Sequence, residues 1–289
     1  MTGLRVPSLL AEYLADNPDP ARQQWLDRLP GVVAELADRW DLQAGEPFEP
    51  GGQCSWVAPA RTAAGEWLVL KVGWVHPEAA YEAAGLEFWA GHGAVRLHAH
   101  LRLADSAALL LERCEPGTAL TSLAEPDRDE VVCGVLRKLR REPPASLGFP
   151  ALQAMCDDWA AGYEAEPGQG VLDPGIERAG LALLRELPGT ASRQVMLATD
   201  LHAENILAAR REPWLAIDPE PHAGDPAYDP LQYMLNCSRL LTDPAGLARR
   251  LAGLLDLDER RLLLWLFARC VQESPGRPDL ADVAARLAP

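Results

Sequence analysis

Only two of the 27 basic residues are lysines, Lys71 and Lys138. Lys71 lies inside Trp67-Leu68-Val69-Leu70-Lys71-Val72, a run that otherwise suits burial in a sheet. An ammonium in such a run is costly unless an anion faces it. The plainer reading is an edge-strand lysine whose stem carries its charge to water. In a chain so poor in lysine the first reading is preferred, because arginine does not readily replace a compact point charge that must reach phosphates. The run therefore calls for a sheet whose Lys71 face is turned toward an anionic group.

The rest of the chain supplies a setting for that sheet. A length of 289 residues, 48% hydrophobic, is comfortable for two lobes with sizeable cores. Residues 20–41 space Trp25, Leu29, Val33, Leu36 and Trp40 at helical intervals, with Pro30-Gly31 as an expected break. FEPGGQCSWVAPA and EWLVLKVGW, joined by a turn at Ala64-Gly65, read as a hairpin. Residues 78–90 read as a helix, and AVRLHAHLRL and SAALLLER as two further strands. From about Thr118 the pattern is mainly helical, with one short β segment near residues 195–218. The expected division is a nucleotide lobe over 1–117, with leading helices and a closing hinge, and a helical lobe over 118–289.

The formal net charge of −15 argues against a nucleic-acid or anionic-membrane binder and permits a cationic substrate. No apolar run reaches the roughly 20 residues of a membrane span. The N-terminal stretch lacks the layout of a signal peptide, so a cytoplasmic protein is expected. Six scattered cysteines without a CxxC pair predict reduced thiols rather than a disulfide or zinc framework. His98 and His100 make a metal clip only if a third ligand joins them.

Three carboxylates that could face Lys71 follow it: Glu78 and Glu82 share a helix face, and Glu87 is rotated away. Upstream, Pro50-Gly51-Gly52-Gln53-Cys54-Ser55 is a glycine turn open to close backbone approach by a phosphate chain, although paired glycines also simply close hairpins. The stretch Leu197-Ala198-Thr199-Asp200-Leu201-His202-Ala203-Glu204-Asn205-Ile206-Leu207 carries the strongest signal. Thirteen residues after Asn205, the strand Trp214–Ile217 delivers Asp218. An Asp and an Asn five apart in a loop, with a second Asp at a strand end, match phosphoryl transfer. One carboxylate orients the attacking hydroxyl and takes its proton, while the amide oxygen and the other carboxylate suit magnesium. Two surface turns with capping Asp and Asn would explain either segment alone. They do not explain the ordered set Lys71, Glu82, Asp200, Asn205, Asp218.

On these residues the chain resembles the aminoglycoside phosphotransferases of protein-kinase-like fold, in the branch of the streptomycin 6-kinases and hydroxyurea kinases. The stretch DLHAENILAARREPWLAIDPEPHAGDPAYD carries the resemblance, with GGQCSWVAPA, LVLKVGW and LLLERCEPG, and it covers about residues 20–275. It implies a two-lobed α+β fold with ATP and magnesium between a small β-rich lobe and a larger helical one. It implies Asp200 as base, Asn205 and Asp218 as magnesium ligands, and Lys71 on the nucleotide phosphates, paired with Glu82. Gly51, Gly52 and Ser55 fall in the implied nucleotide site. Glu112-Arg113-Cys114 falls at the interlobe hinge against adenine, and Asp225 braces the catalytic loop. The wider family has His-Gly-Asp where this chain has Ala198-Thr199-Asp200, which puts the loop geometry in question.

The reading is an ATP-dependent O-phosphotransferase acting on a streptomycin-like aminoglycoside or on hydroxyurea and conferring resistance, a monomer or weak dimer. Its alternatives are a nucleotide-binding pseudokinase, a kinase of a non-antibiotic metabolite, and a metal-dependent hydrolase using Asp200, His202 and Asp218. His202, Glu204 and Asp229 are candidate acceptor contacts, with Asp243 near the same mouth. His222 is expected at the surface. Trp159 and Tyr163 share a helix face that could form an acceptor wall, with core packing preferred, and Arg269 and Gln272 could line a pocket.

Overall fold

The computed structural model describes residues 4–76, 78–165 and 172–289. The chain divides into two units, Met1–Gly91 with Val95–Gly117 and His92–Ala94 with Thr118–Pro289.

The first unit opens with helices α1 (Ser8–Asp16) and α2 (Pro20–Trp40). Asp19 caps α2 by accepting the Ala21 N–H, and Pro20 occupies the first turn, where no N–H is needed. The expected break at Pro30 does not occur: α2 runs through it. An interior proline costs about 3 kcal/mol. Trp25, Leu29, Val33 and Leu36 are all buried on one stripe of the same helix, at roughly 1.5–3 kcal/mol each. Packing therefore outweighs propensity. The strands β1 (Leu42–Ala44), β2 (Ser55–Thr62), β3 (Trp67–Trp74), β4 (Leu97–Arg102) and β5 (Ser106–Glu112) form one antiparallel sheet in the order β1-β2-β3-β5-β4.

Strand alternation then sorts β3. Leu68, Leu70, Val72 and Trp74 face a core shared with α1 and α2, and Lys71 lies on the other face, opposite Val57 and Leu109. Helix α3 (Glu82–Trp89), preceded by a tight turn over Glu78–Tyr81, is shorter than the sequence suggested.

The second unit is mainly helical: α4 (Glu125–Leu139), α5 (Leu152–Ala165), α6 (Pro174–Glu186), α7 (Leu231–Leu235), α8 (Arg239–Thr242), α9 (Pro244–Leu255), α10 (Glu259–Glu273) and α11 (Asp279–Leu287). Helix α10 is its axis, with Leu262 and the whole run Trp265–Val271 buried against α6, α9 and α11. At Gly180 of α6 any Cβ would fall 2.6 Å from the Val271 Cβ, so this helix pair requires glycine to approach so closely. The fully buried Asp129 of α4 gathers Tyr233, Arg239 and Arg250, each within 2.6 Å, and so ties α7, α8 and α9 to α4.

Instead of one β segment there are two small antiparallel pairs. Strand β6 (Val195–Leu197) pairs with β9 (His222–Gly224), and β7 (Ile206–Ala208) with β8 (Trp214–Ala216).

Candidate active site

The two small sheets set the loop. Strand β6 leads into Ala198–Asp200, and β7 begins directly after Asn205. The Ile217 N–H donates to the Asn205 carbonyl at 2.9 Å, extending the β7–β8 ladder and bringing Asn205 beside the strand end that delivers Asp218. Asp200 is half-buried. Its Oδ1 accepts from Gln232 Nε2 at 2.9 Å, and its Oδ2 from Asn205 Nδ2 at 3.3 Å. His202 Nε2 stands 3.8 Å from Oδ2. Burial raises the Asp200 carboxyl above its ordinary value; His202 opposes this, the Asp218 charge adds to it, and the two amides oppose it. Gln232 was not foreseen. Its one sequence signal is a polar residue inside the apolar run Leu231–Leu235.

Thr199 and Asp218 both have left-handed backbone, at φ 33° and 52°. A β-branched residue is strained there, which explains the glycine that the wider family has at the Thr199 position. Here the side chain holds the strained turn. Its Oγ1 donates to the Glu220 carbonyl at 2.7 Å and lies 3.4 Å from His222 Nδ1, while the Glu220 N–H donates to the Ala198 carbonyl. His222 is therefore part of the loop's support, half-buried with its pKa lowered by desolvation, and not the surface residue expected.

Asp229, expected as an acceptor contact, is buried instead. It is 1% exposed and cannot line an acceptor mouth. One oxygen accepts the Ala198 N–H at 2.9 Å beneath the loop, and the other finds no hydrogen-bond partner among the described residues. Burial pushes its carboxyl up to about 6, opposed by Arg140 and by the Ala198 and Thr199 amides. Asp225 is braced in turn: Trp265 Nε1 donates to its Oδ2 at 2.6 Å, Arg261 donates to the same oxygen, and the Ala227 N–H reaches its Oδ1.

In the first unit Lys71 Nζ donates to both Glu82 oxygens, at 2.8 and 2.7 Å, and Glu82 is only 4% exposed. The Glu78 side chain lies outside what the structure describes, and Glu87 points instead to His100, 3.3 Å away. His98 and His100 are exposed on the same strand face, but no group of three or more His, Cys, Asp or Glu suited to a metal occurs among the described residues.

Gly51 has a structural need for glycine, with φ 80° and a Cβ position 2.5 Å from Pro7. Gly52 has none: a Cβ there would meet only Ser55, at 3.5 Å or beyond. Ser55 is buried, in register with Gly73. The Glu112 backbone N–H is bonded to the Arg96 carbonyl, and the Glu112 side chain accepts the Arg96 N–H. The Cys114 carbonyl lies 2.9 Å from the Cβ position of Gly117, a left-handed glycine.

Beside Asp200 is a cavity of about 180 Å³, lined by Trp159, Glu220, Gln232, Arg269 and Glu273 among others. Trp159, expected in the core, forms part of its wall, and the Arg269 guanidinium lies 4.2 Å from the centre of its ring. Tyr163 lies apart, donating to Glu177. Glu204 is exposed, and Asp243 caps α9 by accepting the Gly246 N–H at 2.9 Å rather than lining the cavity. A larger groove of about 520 Å³, lined by Glu142, Phe149 and Arg193 among others, includes none of the residues singled out above. No helix among the described residues is long and apolar enough to cross a membrane.

The family model for aminoglycoside/hydroxyurea antibiotic resistance kinases matches residues 39–277. The streptomycin 6-kinase of Streptomyces griseus is 33% identical over 99% of this chain and 94% of its own. The hydroxyurea phosphotransferase of Kitasatospora aureofaciens is 34% identical over 97% and 82%. Among solved structures, a thermostable mutant of aminoglycoside phosphotransferase APH(4)-Ia, in complex with ADP and hygromycin B, superposes with a TM-score of 0.54 at 14% identity, covering 89% of this chain and 95% of its own. That likeness fits the α+β architecture of a β-rich unit and a mainly helical one, the protein-kinase-like fold that the resemblance implied. The chain belongs to the aminoglycoside/hydroxyurea antibiotic resistance kinase family and is a phosphotransferase acting on hydroxyl groups.

Proposed function

We propose that the protein transfers the γ-phosphoryl group of ATP to a hydroxyl of a small antibiotic-like acceptor, of the streptomycin or hydroxyurea kind named for its relatives, and so confers resistance. The observation that carries this reading is the seating of Asp200. Both carboxylate oxygens accept amide N–H groups, so the side chain is held beside the cavity in a fixed rotamer. A carboxylate held in this way can accept a hydrogen bond from an acceptor hydroxyl, align it and take its proton as transfer proceeds.

The donor set fits magnesium. Asn205 uses its Nδ2 on Asp200, which leaves its Oδ1 as the ligand atom, and Asp218 is exposed at the adjoining strand end. Magnesium is commonly bound by one or two protein oxygens together with substrate phosphates, so an all-protein cage is not needed. Bound there with nucleotide, it would neutralise charge on the phosphates. Lys71, oriented by Glu82, would contact the nucleotide phosphates, and the open Cβ position of Gly52 suits backbone approach to them. The support given to Thr199 by Glu220 and His222 favours an ordered, working loop over a pure nucleotide binder.

The test is mass spectrometry of streptomycin and of hydroxyurea after incubation with the protein, ATP and magnesium. A single phosphate added to one of them, and none when magnesium is chelated, is expected. Hydrolysis of ATP with neither acceptor modified would reject this acceptor class.

A further inference from the structure

The cavity beside Asp200 contains a cation belonging to the protein itself. Arg269 of α10 is 3% exposed, and its guanidinium lies over the Trp159 ring at 4.2 Å. One terminal nitrogen donates to Glu273 Oε1 at 2.7 Å, the other to Gln272 Oε1, and its Nε finds no partner among the described residues. An indole face, a carboxylate and an amide oxygen around one planar cation constitute a guanidinium seat. What remains open beside Asp200 is about 180 Å³, below the range usual for drug-sized ligands.

We propose that Arg269 is the specificity-determining residue of the acceptor pocket. Its guanidinium fills the seat that a guanidino group of a larger acceptor would require, so the pocket takes compact acceptors on the scale of hydroxyurea. Streptomycin, which carries guanidino groups, must compete with Arg269 for Trp159 and Glu273. Glu220 lies on the same wall, its backbone fixed to the catalytic loop through Ala198 and Thr199. This inference rests on the reading of the Asp200 cavity as the acceptor site.

The experiment separates the seat from the reaction. Calorimetric titration with methylguanidine, without nucleotide, should show saturable binding to Arg269→Ala. It should show none to wild type and none to Arg269→Ala combined with Glu273→Gln. In turnover, Arg269→Ala should raise the streptomycin-to-hydroxyurea ratio of kcat/KM at least tenfold. Arg269→Met, which keeps volume over the indole but drops the charge, should leave that ratio near the wild-type value and bind no methylguanidine. Arg269→Ser, which also vacates the seat and should likewise bind methylguanidine, is the deciding variant if Arg269→Ala does not fold. Methylguanidine binding equal in wild type and Arg269→Ala, its absence from folded Arg269→Ala, or a tenfold rise of the ratio in Arg269→Met would each overturn the proposal. A wild type that phosphorylates neither acceptor would reject the proposed function, while the methylguanidine titration would still decide whether the seat exists.

Discussion

Gln232 Nε2 donates to Asp200 Oδ1 at 2.9 Å, across 32 residues of chain, from a short helix whose other side chains are largely buried. The bond fixes one carboxylate oxygen while Asn205 engages the other, and the proposed base is thereby oriented from two directions.

Replacing Gln232 with Leu keeps most of its volume and removes the donor. A hydrogen bond to a charged group contributes about 1.5–3 kcal/mol. With the base less well oriented, kcat should fall roughly tenfold to a hundredfold, while KM for ATP changes little because Gln232 lines the cavity proposed for the acceptor. Steady-state kinetics with each substrate varied in turn checks this; a rise in KM for ATP with kcat intact would contradict it.

Lys71→Arg should not rescue Lys71→Ala. The Lys71 ammonium is held by two bonds to the buried Glu82 carboxylate, and the longer, planar guanidinium of arginine does not reproduce that compact point charge. Both variants should weaken nucleotide binding about tenfold or more, measured by titration with a non-hydrolysable ATP analogue. Full affinity in Lys71→Arg would show that charge alone suffices.

Thr199 offers a test of the altered loop motif. Thr199→Gly relieves the left-handed backbone but loses the bond to Glu220, so its effect on stability should be small. Thr199→Val keeps the strain and removes the hydroxyl donor from the Glu220 carbonyl, which retains His222 Nδ1 at 3.2 Å, and should cost about 0.5–1.5 kcal/mol. Urea unfolding checks both: a Thr199→Val midpoint equal to that of wild type would mean that the hydroxyl does not hold the turn, and equal midpoints for the two variants would mean that the left-handed backbone carries no strain.

Asp229 makes a prediction about pH. Its folded value near 6 lies above the ordinary carboxylate value, so between the two the folded state binds the extra proton. Stability from this group therefore rises as pH falls through about 6, by about 1.4 kcal/mol between pH 7 and pH 5 and by about 3 kcal/mol in all once pH is below the ordinary carboxylate value. His222, lowered by burial, acts in the opposite sense over the same window, and Asp200 acts in the same sense. The readout is accordingly a difference: the melting temperature of wild type relative to Asp229→Asn should increase on going from pH 7 to pH 5. A constant difference would mean that the carboxyl titrates normally.

The parts of the site readable in the sequence were those with unusual local chemistry. A lysine in an apolar strand required an anion, and Glu82 supplies it one helix later. The Asp200, Asn205 and Asp218 spacing survived because a short hairpin joins the segments. The cavity beside Asp200 was foreseen only in pieces: Arg269 and Trp159 were candidate pocket residues and Gln232 was not, because the three sit on separate helices that only tertiary packing brings together. Asp229 was misread because an acidic residue in a polar turn gives no sign of burial, and Pro30 because helix propensity does not register four buried side chains on the flanking turns. The two small β pairs consist of three-residue strands, too short for alternation to reveal.

The role of Asp200 as base is tested by acceptor-stimulated ADP release by wild type and Asp200→Asn with ATP and magnesium, alongside nucleotide binding by both. Hydroxyurea or streptomycin should stimulate the wild type, and Asp200→Asn should bind nucleotide normally but lose about a hundredfold to ten-thousandfold in stimulated turnover. Equal stimulated turnover in the two proteins would contradict that role.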